Sequence, residues 1–205
     1  MNITKINSGK YSPAFTSCFR NDAAKQINNY DKIFSQQSIK NSTNILRNDI
    51  DWQALESYIT FHFANKQNVN SYSLAGSDGS EAYAYVISML ENNPKPACSK
   101  FLPIVSCDID PVMTKVAKSG KINLFNYEIY NALIEYNIDL HKYFKKLGAP
   151  FYINNDNINW TNDIYSYETS KELYNSVEFK QSDILTELYN INDNGNSVVM
   201  CRNVF

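Results

Sequence analysis

The sequence predicts an α/β fold built on a mostly parallel sheet. Three observations carry that expectation. Apolar runs of strand length alternate with stretches of helical periodicity, the pattern of strands joined by helical crossovers. Four of those runs end in small or polar residues. Hydrophobic residues make up 43% of 205 positions, enough for one compact domain with a sizeable core.

The elements follow in order. Residues 1–40 are polar, rich in Asn, Gln, Ser and Lys, with weak helical periodicity around Ala23 to Phe34. They read as an N-terminal extension, and residues 41–205 as the domain proper. From Asp49, "DIDWQALESYITFHFA" sets Trp52, Leu55, Tyr58, Ile59 and Phe63 at helical spacing, with Asp49 or Asp51 able to cap the start. "VNSYSLAG" is a short strand, and "SEAYAYVISMLENN" a helix stopped by Pro94. "FLPIVSCDID" is a second strand ending in acids. "PVMTKVAKSG" is a helix with Pro111 early and Gly120 as its stop. The aromatic, Asn-rich segment that follows predicts a helix over Tyr127 to Leu147, then irregular chain or a hairpin through "APFYINNDNINWTNDIYSYE". "SVEFKQSDIL" gives a third strand and "NSVVMCRNVF" a fourth.

Composition narrows the function classes. A net charge of −2 without a long basic run argues against a surface that tracks nucleic-acid phosphates. Cys18, Cys98, Cys107 and Cys201 are scattered, with only His62 and His141 beside them, which argues against a structural zinc site. The N-terminus lacks the apolar core of a signal peptide, and no stretch approaches the roughly 20 apolar residues that span a bilayer. A soluble, cytoplasmic protein without membrane insertion is expected.

In open α/β sheets ligands bind beyond the carboxyl ends of the strands. Gly76-Ser77-Asp78-Gly79 follows the first strand, where small residues let the backbone approach a ligand. Asp108 follows the second, where an acid in nucleotide-binding folds holds ribose hydroxyls. Asp183 follows the third, and Arg202 and Asn203 the fourth. Each has a plainer reading. Ser77, Asp78 and Ser80 could cap a helix, Asp110 could be a solvated turn residue, and Asp183 could cap "ILTELY". Glu81, in the first turn of its helix, fits either a capping role or a cofactor pocket. His141, beside lysines, reads as an exposed residue and His62 as a partly packed one. The Tyr and Phe stripe from Phe125 to Phe144 reads as core.

The segments "AGSDGSEAYAYVISML", "VSCDIDPVMTKVAKSG", "VEFKQSDIL" and "SVVMCRNVF" together resemble the chemotaxis-receptor (CheR-type) glutamate O-methyltransferases, in family order. That family shows a Ser-Thr-Gly-Glu-Glu-Pro-Tyr turn, Asp-Ile-Asp, Val-x-Phe-x-x-x-Asn/Asp-Leu and Cys-Arg-Asn-Val. "NSTNILRND" (Asn41 to Asp49) resembles its Asn-x-Thr-x-Phe-Phe-Arg-Asp segment. The resemblance implies a Rossmann-like methyltransferase sheet and S-adenosylmethionine as cofactor. It implies that Asn41, Thr43 and Arg47 contact the methionine part or close the pocket, that Glu81 meets the ammonium, and that Asp108 holds the ribose. Asp183 and Ile184 would flank the adenine, with Asn203 and Val204 completing the wall. Arg202 or Arg47 would hold the acceptor carboxylate, as the catalytic candidates. The implied partner is a protein carrying glutamate side chains, a chemoreceptor among the candidates.

The sequence departs from the family at Ala75, Asp78, Ser80 and Ala82 in the turn, and at Ile45-Leu46 where two Phe are usual. Family members continue past Cys-Arg-Asn-Val into Ile-Tyr-Phe and three more strands. The chain is therefore expected to be C-terminally incomplete, lacking the last strands of its sheet, and to form a homodimer through the exposed edge of the fourth strand or cover it. The alternative to an enzyme is a non-catalytic module that binds S-adenosylmethionine or a protein.

Overall fold

The computed structural model describes residues 44–152, 163–191 and 195–201, all in the second of the chain's two units, Thr43–Phe205. The carboxylate of Asp51 accepts the N–H of Ala54 at 2.9 Å and starts α1 (Trp52–His62). Strand β1 (Asn70–Leu74) leads through a tight turn into α2 (Ser80–Asn92). A short helix, α3 (Lys95–Cys98), precedes β2 (Ile104–Asp108), and α4 (Pro111–Lys118) follows it. Next come β3 (Lys121–Phe125), α5 (Asn126–Tyr136), β4 (Phe144–Tyr152) and β5 (Ile164–Thr169). The described chain closes with α6 (Lys171–Asn175), β6 (Val177–Gln181), α7 (Ile184–Asn190) and β7 (Ser197–Cys201).

The four strands expected from the sequence form one parallel sheet in the order β6-β2-β1-β7. Its register aligns the carboxyl ends: Leu74 lies between Cys107 and Cys201, and Asp108 opposite Gln181. Right-handed crossovers through helices are what parallel neighbours require, and α2 supplies the best-packed one. Ala82 through Ile87 and Met89 are all at most 1% exposed, so α2 is apolar around its whole circumference, as a helix covered on every side must be. The serines of β1 and β2 fit that close approach: they add little bulk, and Ser71 Oγ meets the buried Tyr85 hydroxyl at 3.1 Å.

The segment after α4 corrects the sequence reading. The predicted helix over 127–147 ends at Tyr136, because Asn137 turns left-handed (φ 55°) and the N–H of Ile138 closes back on the Ala132 carbonyl at 3.0 Å. Around it lies a second sheet, antiparallel, in the order β3-β5-β4. The hairpin alternative holds for the strands on either side of residues 153–162, which lie outside the described residues. The expected aromatic core stripe splits: Tyr143 and Phe144 are buried, whereas Tyr130 is 52% exposed. Tyr83 of α2 joins the two sheets, edge-on to Phe179 of β6 (ring centroids 5.6 Å apart) and to Phe144 of β4 (6.1 Å). No helix among the described residues is long and apolar enough to cross a membrane.

Candidate functional site

The turn from β1 into α2 is built by backbone conformations that side chains resist. Ala75 (φ 60°), Ser77 (φ 52°) and Gly79 (φ 92°) all lie in the left-handed region, at a cost of order 1 kcal/mol or more for each non-glycine residue. Gly76 is fixed by space instead: a Cβ there would stand 2.2 Å from Ser106 Oγ on the neighbouring strand. Its N–H donates to the Cys107 carbonyl at 2.8 Å, so the turn is pressed onto the end of β2.

Asp108 holds that arrangement from the other side. Its Oδ2 accepts the Ser77 N–H at 2.8 Å and its Oδ1 the Asp110 N–H at 2.9 Å. A carboxylate has about four lone-pair positions, so each oxygen keeps one for a ligand hydroxyl. Its backbone carbonyl accepts the Ser182 N–H at 3.1 Å, which brings the loop before α7 alongside. On the facing helix, Glu81 Oε1 accepts from Ser73 Oγ at 3.1 Å, which aims the carboxylate back over the end of β1. The Cys201 thiol, at the end of β7, is pushed up by partial burial and then by the Glu81 charge, so that strand end lies in the same field.

The plainer readings divide. Asp78 does not sit free in water: it is buried and takes the N–H and the hydroxyl of Ser80, at 3.0 and 2.7 Å. Burial raises its pKa, with the Ser80 contacts opposing and the Asp108 charge adding to the rise. The N-cap of α2 is Gly79, without a side-chain cap, so neither Ser77 nor Ser80 caps it. Asp110 is a cap rather than a bare turn residue, accepting from Val112 N–H at 2.8 Å. Asp183 caps α7 through Leu185 N–H at 2.7 Å, and Ile184 beside it is half-buried. Below it, Lys180 and Ser182 both engage Glu187, whose carboxyl they hold under its usual value, Lys180 foremost.

The structure thus brings Glu81, Asp108, Asp183 and Ile184 to one edge of the parallel sheet. Arg47 is placed on Asp49, through Nε to Oδ1 at 3.2 Å and Nη2 to Oδ2 at 3.0 Å, while its carbonyl accepts the Trp52 indole N–H at 3.1 Å. Asn41, Thr43, Arg202, Asn203 and Val204 lie outside the described residues. His62 is exposed on α1 and stacks on Tyr58, so it is less packed than expected, and His141 is exposed in a short turn. One residue of the site, Ser73, was not singled out from sequence. Ser73 orients Glu81, and its signal was present, one residue before the end of a strand and eight before the acid. Ser77 was read as a small residue of the ligand-facing turn or as a cap, and its side chain was given no contact of its own. Its hydroxyl is buried in the turn without a hydrogen-bond partner among the described residues.

Residues 41–205 match the family described as CheR methyltransferase, SAM binding domain. A comparison with curated proteins finds no match. The cofactor of this family's domain is S-adenosylmethionine, and the strand ends suit it. Asp108 keeps acceptor capacity that suits a vicinal diol, the buried Ser77 hydroxyl has no partner of its own among the described residues, and the missing Cβ of Gly76 keeps the turn close against β2.

Proposed function

The chain belongs to the CheR methyltransferase family, and on that premise we propose that it methylates the side-chain carboxylate of glutamate in a protein, forming an O-methyl ester. The observation that carries the reading is the Asp108 carboxylate. It clamps the two backbone N–H groups that shape the turn and leaves acceptor positions for a ribose. Glu81, held by Ser73, is the counter-charge for the ligand's ammonium. Asp183 and Ile184 would flank the adenine.

Bound there, S-adenosylmethionine supplies a methyl group on a positively charged sulfur. The protein's own work is placement. A glutamate carboxylate, with a pKa of about 4.3, is ionised at neutral pH and needs no general base. Neither His stands at the strand ends, in keeping with that chemistry. Opposite charges neutralise as the bond forms, so alignment and exclusion of water supply most of the acceleration. Arg47 uses Nε and one Nη on Asp49 and retains donors for an acceptor carboxylate. Arg202 is the second candidate for that task.

Incubation with radiolabelled S-adenosylmethionine and glutamate-rich receptor segments tests the proposal. The expected product is protein-bound label that mild alkali releases as methanol. Label that survives alkali would mean an amine or other acceptor. Cofactor binding without transfer to any protein would favour the non-catalytic module.

A further inference from the structure

Glu128 is the only buried carboxylate among the described residues of α5, and it serves two distant pieces of backbone. Its Oε2 accepts the N–H of Phe125 at 2.8 Å, which is ordinary for an acid in the first turn of a helix. Its Oε1 accepts the N–H of Ile45 at 2.7 Å, 83 residues earlier in the chain. Capping α5 needs only the first of these. The second fixes a segment that has no regular structure of its own.

That segment is held at several points. Ile45 and Leu46 are 2% and 5% exposed, and Leu46 is left-handed (φ 47°), a conformation that persists only where neighbours impose it. Asn44 hydrogen-bonds the Tyr127 hydroxyl, and Trp52 holds the Arg47 carbonyl. Glu128 also feels the charge of Asp78, a residue of the turn between β1 and α2.

We propose that Glu128 is a positioning residue of the cofactor site: by holding Ile45, it fixes the stretch leading into Arg47 against the base of the antiparallel sheet. The inserted sheet and the cofactor pocket then share one buried side chain, and loosening it loosens the wall of the pocket. The inference rests on the placing of the cofactor along the strand ends.

Glu128→Gln separates this role from capping. The amide has one acceptor oxygen, which the sequence neighbour Phe125 takes, and its NH2 cannot accept from Ile45. In amide NMR of the whole chain, the Ile45 resonance should move upfield while that of Phe125 stays. Affinity for S-adenosylhomocysteine should fall about tenfold, the scale of one unsatisfied buried N–H. An Ile45 resonance that moves while affinity stays at the wild-type value overturns the proposal and leaves Glu128 a cap. Should the Phe125 resonance also be lost, Glu128→Asp, which keeps the carboxylate but is too short to span both donors, makes the same comparison. Failure of the cofactor placing would look different: Asp108→Ala would then bind as the wild type does.

Discussion

The two sheets of this protein carry different kinds of information. The parallel sheet, β6-β2-β1-β7, presents its carboxyl ends to the site, and its strands are packed under a helix buried all round. The antiparallel sheet, β3-β5-β4, contributes no strand end there among the described residues, yet Glu128 of α5, the helix that follows β3, reaches the Ile45 backbone. On the proposed reading, one sheet supplies the chemistry and the other supports it. Tyr83 of α2 meets an aromatic ring of each sheet, Phe179 and Phe144.

The strongest way to break that division is to remove its joint. Tyr83→Ala should cost about 3–5 kcal/mol, the range for truncating a large buried ring. Because the ring touches Phe179 in one sheet and Phe144 in the other, both should melt together in urea, seen as coincident transitions by fluorescence and circular dichroism. Two separate transitions would mean that the sheets fold as independent units.

A second effect should appear with pH. Burial pushes the Glu128 carboxyl from 4.5 up to about 8, against the pull of the Phe125 and Ile45 N–H groups, and Asp78 adds to the rise. Tyr127 and Tyr167 also face it, both raised chiefly by burial. In the unfolded chain Glu128 loses its proton near 4.5; in the folded chain it keeps it until about 8. Between those values the native state binds more protons, so this group's contribution to stability falls as pH rises, and is level above pH 8. Denaturant midpoints of the wild type should drop across that window more steeply than those of Glu128→Gln. Parallel curves would mean that the carboxyl ionises normally where it lies.

The first sheet has its own test. Asp108→Ala should weaken binding of S-adenosylhomocysteine by about 1.5–3 kcal/mol, the range for losing charge-assisted hydrogen bonds. The sequence suggests an acid with little structural part. The structure adds one, since Ser77 and Asp110 lose their acceptor, and the turn should therefore exchange its amides faster in the variant. Calorimetry and amide exchange read the two consequences separately.

The same contrast governs what could be read before the structure. A strand buried on both faces writes itself as a short apolar run, and "FLPIVSC" was read as one, although the strand starts only at Ile104 and Phe101 closes a 3-10 turn before it. Its neighbours gave a weaker signal, since β1 reads NSYSL and β6 reads VEFKQ with one face exposed, and they were legible from short apolar stretches set between helical ones. Asp108 was legible from its place at a strand end. The antiparallel sheet was hidden by a false period. Leu140, Tyr143, Phe144 and Leu147 fall at helical spacing, yet Leu140 belongs to a short 3-10 turn and Phe144 to Leu147 to β4. Burial of Leu140, Tyr143 and Phe144 satisfies either arrangement, and only the left-handed Asn137 decides between them. The Ile45 tie was out of reach altogether. Periodicity describes neighbours along the chain, and that hydrogen bond joins residues 83 apart.

The smallest expected effect isolates the antiparallel sheet most cleanly. Lys146 pairs in register with Tyr167, and its Nζ lies 3.0 Å from the centroid of Tyr165, the diagonal neighbour on β5. A cation over a ring face is worth about 0.5–1 kcal/mol where solvent still reaches it. β4 is an outer strand of this sheet, so the contact secures an edge whose opening needs far less than global unfolding. Lys146→Ala should accordingly speed amide exchange in β4 and β5 and leave β1 and β2 at wild-type rates. Added salt should leave the difference largely in place, since the ring's quadrupole is contacted directly rather than across solvent. Equal acceleration in both sheets would show that the edge opens only when the whole domain does, and the division of labour between the sheets would then carry no dynamic meaning.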